Sequence, residues 1–159
     1  MEGYLRILSA CVGGENLHAG ANRMLELSTR IMNYIESHLT ESTLGPVEIA
    51  SALSISVRHV HRVFSNREST VADWIRTRRL KRCRTDLCDA RLQAKSITEI
   101  AFYWGFNDSA HFSHVFKKQF RICPRAFRSR ALLGLPVPTD MGAADKYLNL
   151  APVPRLRAS

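Results

Sequence analysis

Arg58, His61 and Arg62 stand three and four positions apart within the stretch Val57 to Ser65. On a helix that spacing gathers them on one side, with Val60, Val63 and Phe64 on the other. A guanidinium can engage O6 and N7 of guanine together, and an imidazole can donate or accept at a base edge or sit on a phosphate. The chemistry on offer is reading duplex DNA through its major groove. The plain alternative for each side chain is a solvated surface charge. The same positions recur 52 residues on as Ala110, Ser113 and His114, with His111 beside them. This second set is smaller and less charged. Ala110 offers only apolar contact, for example to a thymine methyl, so weaker or degenerate reading is expected there. His111 has two equal readings, a base contact or a histidine packed between helices.

Other chemistries find less support. His59-x-His61 and His111-x-x-His114 suggest zinc, yet no cysteine or acidic residue stands beside them at zinc-ligand spacing, so neither metal nor cofactor is expected. Cys11, Cys83, Cys88 and Cys123 include no Cys-x-x-Cys pair, which fits reduced cytosolic thiols better than a disulfide framework. Cys11 lacks the basic setting of a reactive thiol that accepts alkyl groups. There is no nucleophile elbow, phosphate loop or His-Glu-x-x-His, so the chain does not read as an enzyme.

The net charge of +9 over 159 residues points to a polyanionic partner, double-stranded DNA before a membrane surface. Phosphate contacts would supply much of the affinity. Candidates are Arg76, Arg78, Arg79, Lys81 and Arg82 in one basic stretch, with Lys117, Lys118 and Arg121 further on. They surround their helix, so about half are expected to be ordinary solvated charges. Backbone amides at helix starts near Ser56 and Asp108–Ser109 are further phosphate donors. No apolar run reaches membrane-spanning length, and the short Ile7-Leu8 core with one preceding basic residue argues against a signal peptide.

An internal repeat shows what holds these side chains. Glu48-Ile49-Ala50 returns as Glu99-Ile100-Ala101, and His59-Val60-x-x-Val63-Phe64 returns as His111-Phe112-x-x-Val115-Phe116. Between the matching pieces lie Ser54-Ile55-Ser56 in one copy and Gly105-Phe106-Asn107 in the other. Each copy reads as a short helix, a tight turn and a second helix. Ile49, Ala50 and Leu53 would face Val60, Val63 and Phe64, and Ile100, Ala101 and Trp104 would face Phe112, Val115 and Phe116. Asp108 is a good N-cap for the last of these helices. Val71 to Ala90 lacks glycine and proline, and its apolar positions change sides, from Val71, Trp74 and Ile75 to Leu80, Cys83 and Leu87. One helix packing its ends on two different units would show this pattern. Its roughly 30 Å length approaches the ~34 Å between successive major grooves on one DNA face. Upstream, Leu27, Ile31, Tyr34, Ile35 and Leu39 form one apolar helical face over residues 24–39, and Gly45-Pro46 starts a new helix. A short amphipathic piece, Tyr4 to Val12, precedes Gly13-Gly14 and a polar linker. Residues 131–159, rich in proline and alanine, are expected to be a largely disordered tail. The fold class is all-α, two helix-turn-helix units joined by a long linker helix.

These residues resemble the AraC/XylS family of bacterial transcription regulators. The likeness runs through Ile49 to Ser56, His59, Arg62 and Phe64, then Ile97 to Asp108, His111-Phe112-Ser113, Phe116-Lys117, Phe120 and Pro124 to Arg128. It spans about residues 29 to 130. The resemblance implies a seven-helix, monomeric DNA-binding domain over 24–130 that touches two adjacent major grooves. It implies transcription activation through contacts with RNA polymerase, in the cytoplasm and on the nucleoid. Members of the family carry a separate effector-sensing or dimerisation domain. Little precedes Leu25 here, and Tyr4 to Val12 resembles the last helix of such a domain, so residues 1–23 are expected to be its remnant and a linker, with the effector-binding domain absent. Four positions depart from the family. Glu68 and Arg121 stand where a glycine follows the last helix of each unit, at roughly 1 kcal/mol for a left-handed residue that is not glycine. Cys123 replaces a Ser or Thr, and His114 replaces an arginine of the second reading helix, which weakens base reading in the second unit. The two lost glycines and His114 are the best support for a rival reading, a decayed regulator acting as a protein antagonist without DNA binding.

Overall fold

A computed structural model describes residues 4–65 and 69–138, with side chains in the first helix given from residue 22. Among the described residues there are seven α-helices and no strand: α1 (Tyr4–Ser37), α2 (Pro46–Ala52), α3 (Val57–Ser65), α4 (Val71–Cys88), α5 (Ile97–Tyr103), α6 (Ser109–Phe120) and α7 (Pro124–Leu132). A single 3-10 turn, Ala90–Leu92, follows α4.

Local chemistry sets the boundaries. Pro46 opens α2 after an extended Gly45, where the missing N–H has no helical partner to lose. The Thr70 hydroxyl caps α4 by accepting from Asp73 N, and Asp73 in turn accepts from that hydroxyl. Ser96 and Glu99 form a reciprocal capping box at α5. Asp108 caps α6 through Ala110 N at 2.7 Å and His111 N at 3.0 Å. The two helix-turn-helix turns are alike. Ile55 N donates to Ala50 O at 3.0 Å in the first, and Phe106 N donates to Ala101 O at 3.1 Å in the second. Both turns need one left-handed residue. The second uses Gly105 (φ 78), the first Ser54 (φ 54).

The apolar repeat forms the core of two units. The principal helix contacts of α1, α2 and α3 are with one another, and α5 and α7 each pack on α6. α4 lies between, on α3 at one end and on α5 and α7 at the other. Its two apolar faces are buried as expected: Val71, Trp74 and Ile75 with one unit's end, Leu80, Cys83 and Leu87 with the other's. Phe112, Phe116 and Phe120 form a ladder along α6 with Phe127 of α7 against it, ring centroids 4.6 to 5.5 Å apart for Phe112–Phe116, Phe116–Phe120 and Phe116–Phe127. Ala50 and Ala101 are buried, small enough for the helices of each unit to cross closely.

Three boundaries differ from expectation. α1 continues through Gly13-Gly14, where a linker was expected, because no proline interrupts residues 1–45 and an interior glycine costs a helix only about 1 kcal/mol. α4 ends at Cys88, two residues early, because the Asp89 carboxylate turns the chain by accepting from Arg91 N. The tail expected from residue 131 opens instead as the end of α7, Ala131 and Leu132, and residues 133–138 follow with Val137 packed against the core; the remainder of that tail lies outside the described residues. Glu68 lies outside them as well.

Candidate nucleic-acid interface

On α3, Val60, Val63 and Phe64 are buried, which turns Arg58, His59, His61 and Arg62 outward, all exposed. On α6, burial of Phe112 and Phe116 leaves Ala110, His111, Ser113, His114, Lys117 and Lys118 exposed. All seven base-reading candidates named from the repeat therefore lie on solvent-facing helix surface, and His111 is not packed between helices. His59 Nδ1 lies 2.9 Å from the Ser56 hydroxyl, which also accepts from His59 N, so Ser56 caps α3 and the His59 ring rests on that cap.

The basic stretch on α4 divides sharply. Arg76 is exposed and paired with Asp73, whose carboxyl is held below the ordinary carboxylate range by the Thr70 hydroxyl first and the Arg76 charge after it. Arg78 is buried, its Nε donating to Glu36 Oε1, and Arg82 Nη2 donates to Glu36 Oε2 at 3.0 Å. Arg79 is half-buried and donates to Leu39 O and Gly105 O, each at 3.0 Å, and to Glu41 O. Arg78 and Arg79 are thus corrected as phosphate candidates. A guanidinium without partners inside the protein is too costly to desolvate, and these two find theirs within the fold. Arg82 and Lys81 are partly covered. Lys117, Lys118 and Arg121 face solvent.

The structure brings four of the candidates together. Arg76, Thr77 and Leu80 of α4 face His114 and Lys118 of α6, and Arg121 just beyond its end, across a groove of about 730 Å³. A second cleft of about 300 Å³ separates Pro46 at the start of α2 from Asp108 and His111 at the start of α6, with Arg76 on its wall. Arg76 borders both. The α6 amides expected as phosphate donors are partly occupied: Asp108 accepts from His111 N and Ala110 N, and those bonds hold its carboxyl below the usual range.

Arg121 ends α6 in the left-handed region (φ 60), with its N–H donating to Lys117 O at 2.9 Å. The turn made with glycine in the resembled family is made here with arginine. Among the described residues no group of three His, Cys, Asp or Glu is placed to hold a metal ion. Burial pushes the Cys83 thiol well up and the Cys88 thiol up, against nucleophilic use of either. The side chain of Cys11 is outside the described set. No described helix is long and apolar enough to cross a membrane.

Known proteins share this arrangement. A family described as "Helix-turn-helix domain" matches residues 49–130, just over half of the chain. A transcriptional regulator from Chromobacterium violaceum, of the AraC-type DNA-binding domain-containing proteins, superposes with a TM-score of 0.56 at 26% identity, over 72% of this chain and 96% of that one. The chain belongs to the AraC-type helix-turn-helix family. Within that family it is similar to the transcriptional activator NphR of Rhodococcus sp, 32% identical over 100 residues, which are 63% of this chain and 29% of NphR. It is also similar to the activator RhaS of Yersinia pestis (strain Pestoides F), 32% identical over 102 residues, 64% of this chain and 36% of that protein. The chain thus spans about a third of the length of these AraC-type relatives. The C-terminal domain of AraT from Geobacillus stearothermophilus has the same fold, with a TM-score of 0.59 at 21% identity.

Sequence reasoning passed over Glu36, the acid that holds Arg78 and Arg82. Its signal was there: a carboxylate beside Ile35, four residues from Met32 and three from Leu39, on a helix face otherwise apolar. The Ser96-x-x-Glu99 capping box was equally readable.

Proposed function

We propose that this chain is a sequence-specific DNA-binding transcription regulator that lays α3 and α6 in two adjacent major grooves. The observation that supports this most is the pairing of two matching turns with two helices whose buried faces turn Arg58, His61 and Arg62, and Ala110, His111, Ser113 and His114, outward. Arg58 and Arg62 read guanines, His61 and His111 touch base edges, and the second helix reads more loosely because its outward set is small. Arg76, Lys117, Lys118 and Arg121 hold phosphates, with Lys81 and Arg82 contributing their exposed portions. At about 1.5 Å per residue, the 18 residues of α4 extend about 27 Å, near the spacing of successive grooves. The relatives named as activators support activation of transcription; contact with RNA polymerase, in the cytoplasm on the nucleoid, belongs to the same proposal.

Selection of bound fragments from a random duplex library, followed by binding across a salt series, tests this. The expected result is a bipartite site retained against competitor DNA, with affinity falling steeply as salt rises. Binding without sequence preference, or none at low salt, overturns the reading and favours a protein antagonist.

A further inference from the structure

Arg79 differs from its neighbours on α4 because its guanidinium touches both units. Nε donates to Leu39 O at 3.0 Å and Nη2 to Glu41 O, in the connection from α1 to α2. Nη1 donates to Gly105 O at 3.0 Å, in the turn that leads into α6. A Cβ on Gly105 would stand 2.8 Å from the guanidinium carbon, so the fork lies directly against a backbone bare of side chain. All three acceptors are main-chain oxygens. Their positions report the backbone of each unit, and a planar fork with fixed N–H directions accepts only one arrangement of them. Among the described residues the larger helix contacts lie within a unit or on α4.

We infer that Arg79 is a positioning residue for DNA recognition, setting the placement of α6 relative to α3 and so the half-site spacing the protein accepts. The inference rests on the two-groove reading above. Two reading helices on one rigid body gain affinity from each other's binding; a looser joint loses that gain and tolerates more spacings.

The test compares the wild type with Arg79→Met and Arg79→Lys, after thermal melting has shown each to be folded. The probes are the selected bipartite site, the same duplex with its second half scrambled, and duplexes with one base pair added or removed between the halves. Arg79→Met is expected to bind the full site about tenfold more weakly and the half-site duplex within about twofold of wild type. Its preference for the native spacing shrinks. Arg79→Lys, which keeps the charge and lacks the fork, behaves like Arg79→Met, and carries the test should the methionine variant not fold. Wild-type spacing preference in either folded variant overturns the inference. So does an equal loss on every probe with a salt slope lower by about one and rescue by lysine, which is the signature of a phosphate contact. A wild type that selects no site overturns the two-groove reading itself, before any variant is compared.

Discussion

Removing the Glu36 carboxylate is expected to be among the most damaging single changes away from the apolar core. Its side chain is 5% exposed and that of Arg78 is 8% exposed, while Arg82, the second donor, is 30% exposed. In Glu36→Ala the Arg78 guanidinium stays buried, 42 positions along the chain from a partner it no longer has. Breaking such a buried pair from one side costs about 3–5 kcal/mol, a large part of the roughly 5–15 kcal/mol that holds a domain folded. Arg82→Ala should cost about 0–1 kcal/mol, because water screens and solvates that head group. Replacing both buried partners, as in Glu36→Leu with Arg78→Met, leaves no buried orphan charge, only the partly exposed Arg82, and should return most of the loss. Urea unfolding followed by fluorescence of Trp74 and Trp104, both buried, reads all four proteins. A Glu36→Ala protein within about 1 kcal/mol of wild type, or a double variant no more stable than Glu36→Ala, would refute the reasoning.

Glycine at the two left-handed positions, in Ser54→Gly and Arg121→Gly, should stabilise the protein by about 0.5–1 kcal/mol each in the same assay, since glycine bears no Cβ penalty there. Asp108 contributes stability through a carboxyl held below its ordinary range, so that contribution is complete above an unfolded pKa of about 3.9 and disappears as pH falls through the lower folded value. Asp108→Asn, which caps without titrating, should therefore lose less stability on acidification than wild type, with circular dichroism at descending pH as the measurement. On DNA, Arg62→Ala should cost about 1–3 kcal/mol and relax one base position, whereas Lys118→Ala should weaken all sequences alike. Fluorescence anisotropy against single-base variants of the selected site separates the two.

The sequence alone determined the local order. Periodicity placed α3 at its observed bounds and sent Val60, Val63 and Phe64 inward, because a helix of 3.6 residues per turn leaves them one face. Pro46, Thr70, Ser96 and Asp108 mark helix starts by chemistry that acts over three or four residues. The duplicated tripeptides announced two equivalent units, and the turns at Ser54 and Gly105 bear that out in matching hydrogen bonds. The fate of the basic residues on α4 was not legible in this way. Arg76, Arg78, Arg79 and Arg82 share one short stretch, yet one faces solvent, one is buried on Glu36, one binds three distant carbonyls and one is shared between Glu36 and water. Charge and spacing are the same kind of information for all four. What separates them is a partner 26 to 46 positions away, brought near only when α1 and the second turn close around α4. A pattern confined to neighbouring residues carries helix ends and helix faces; the pairing of a charge is settled by packing between elements, which neighbouring residues do not encode.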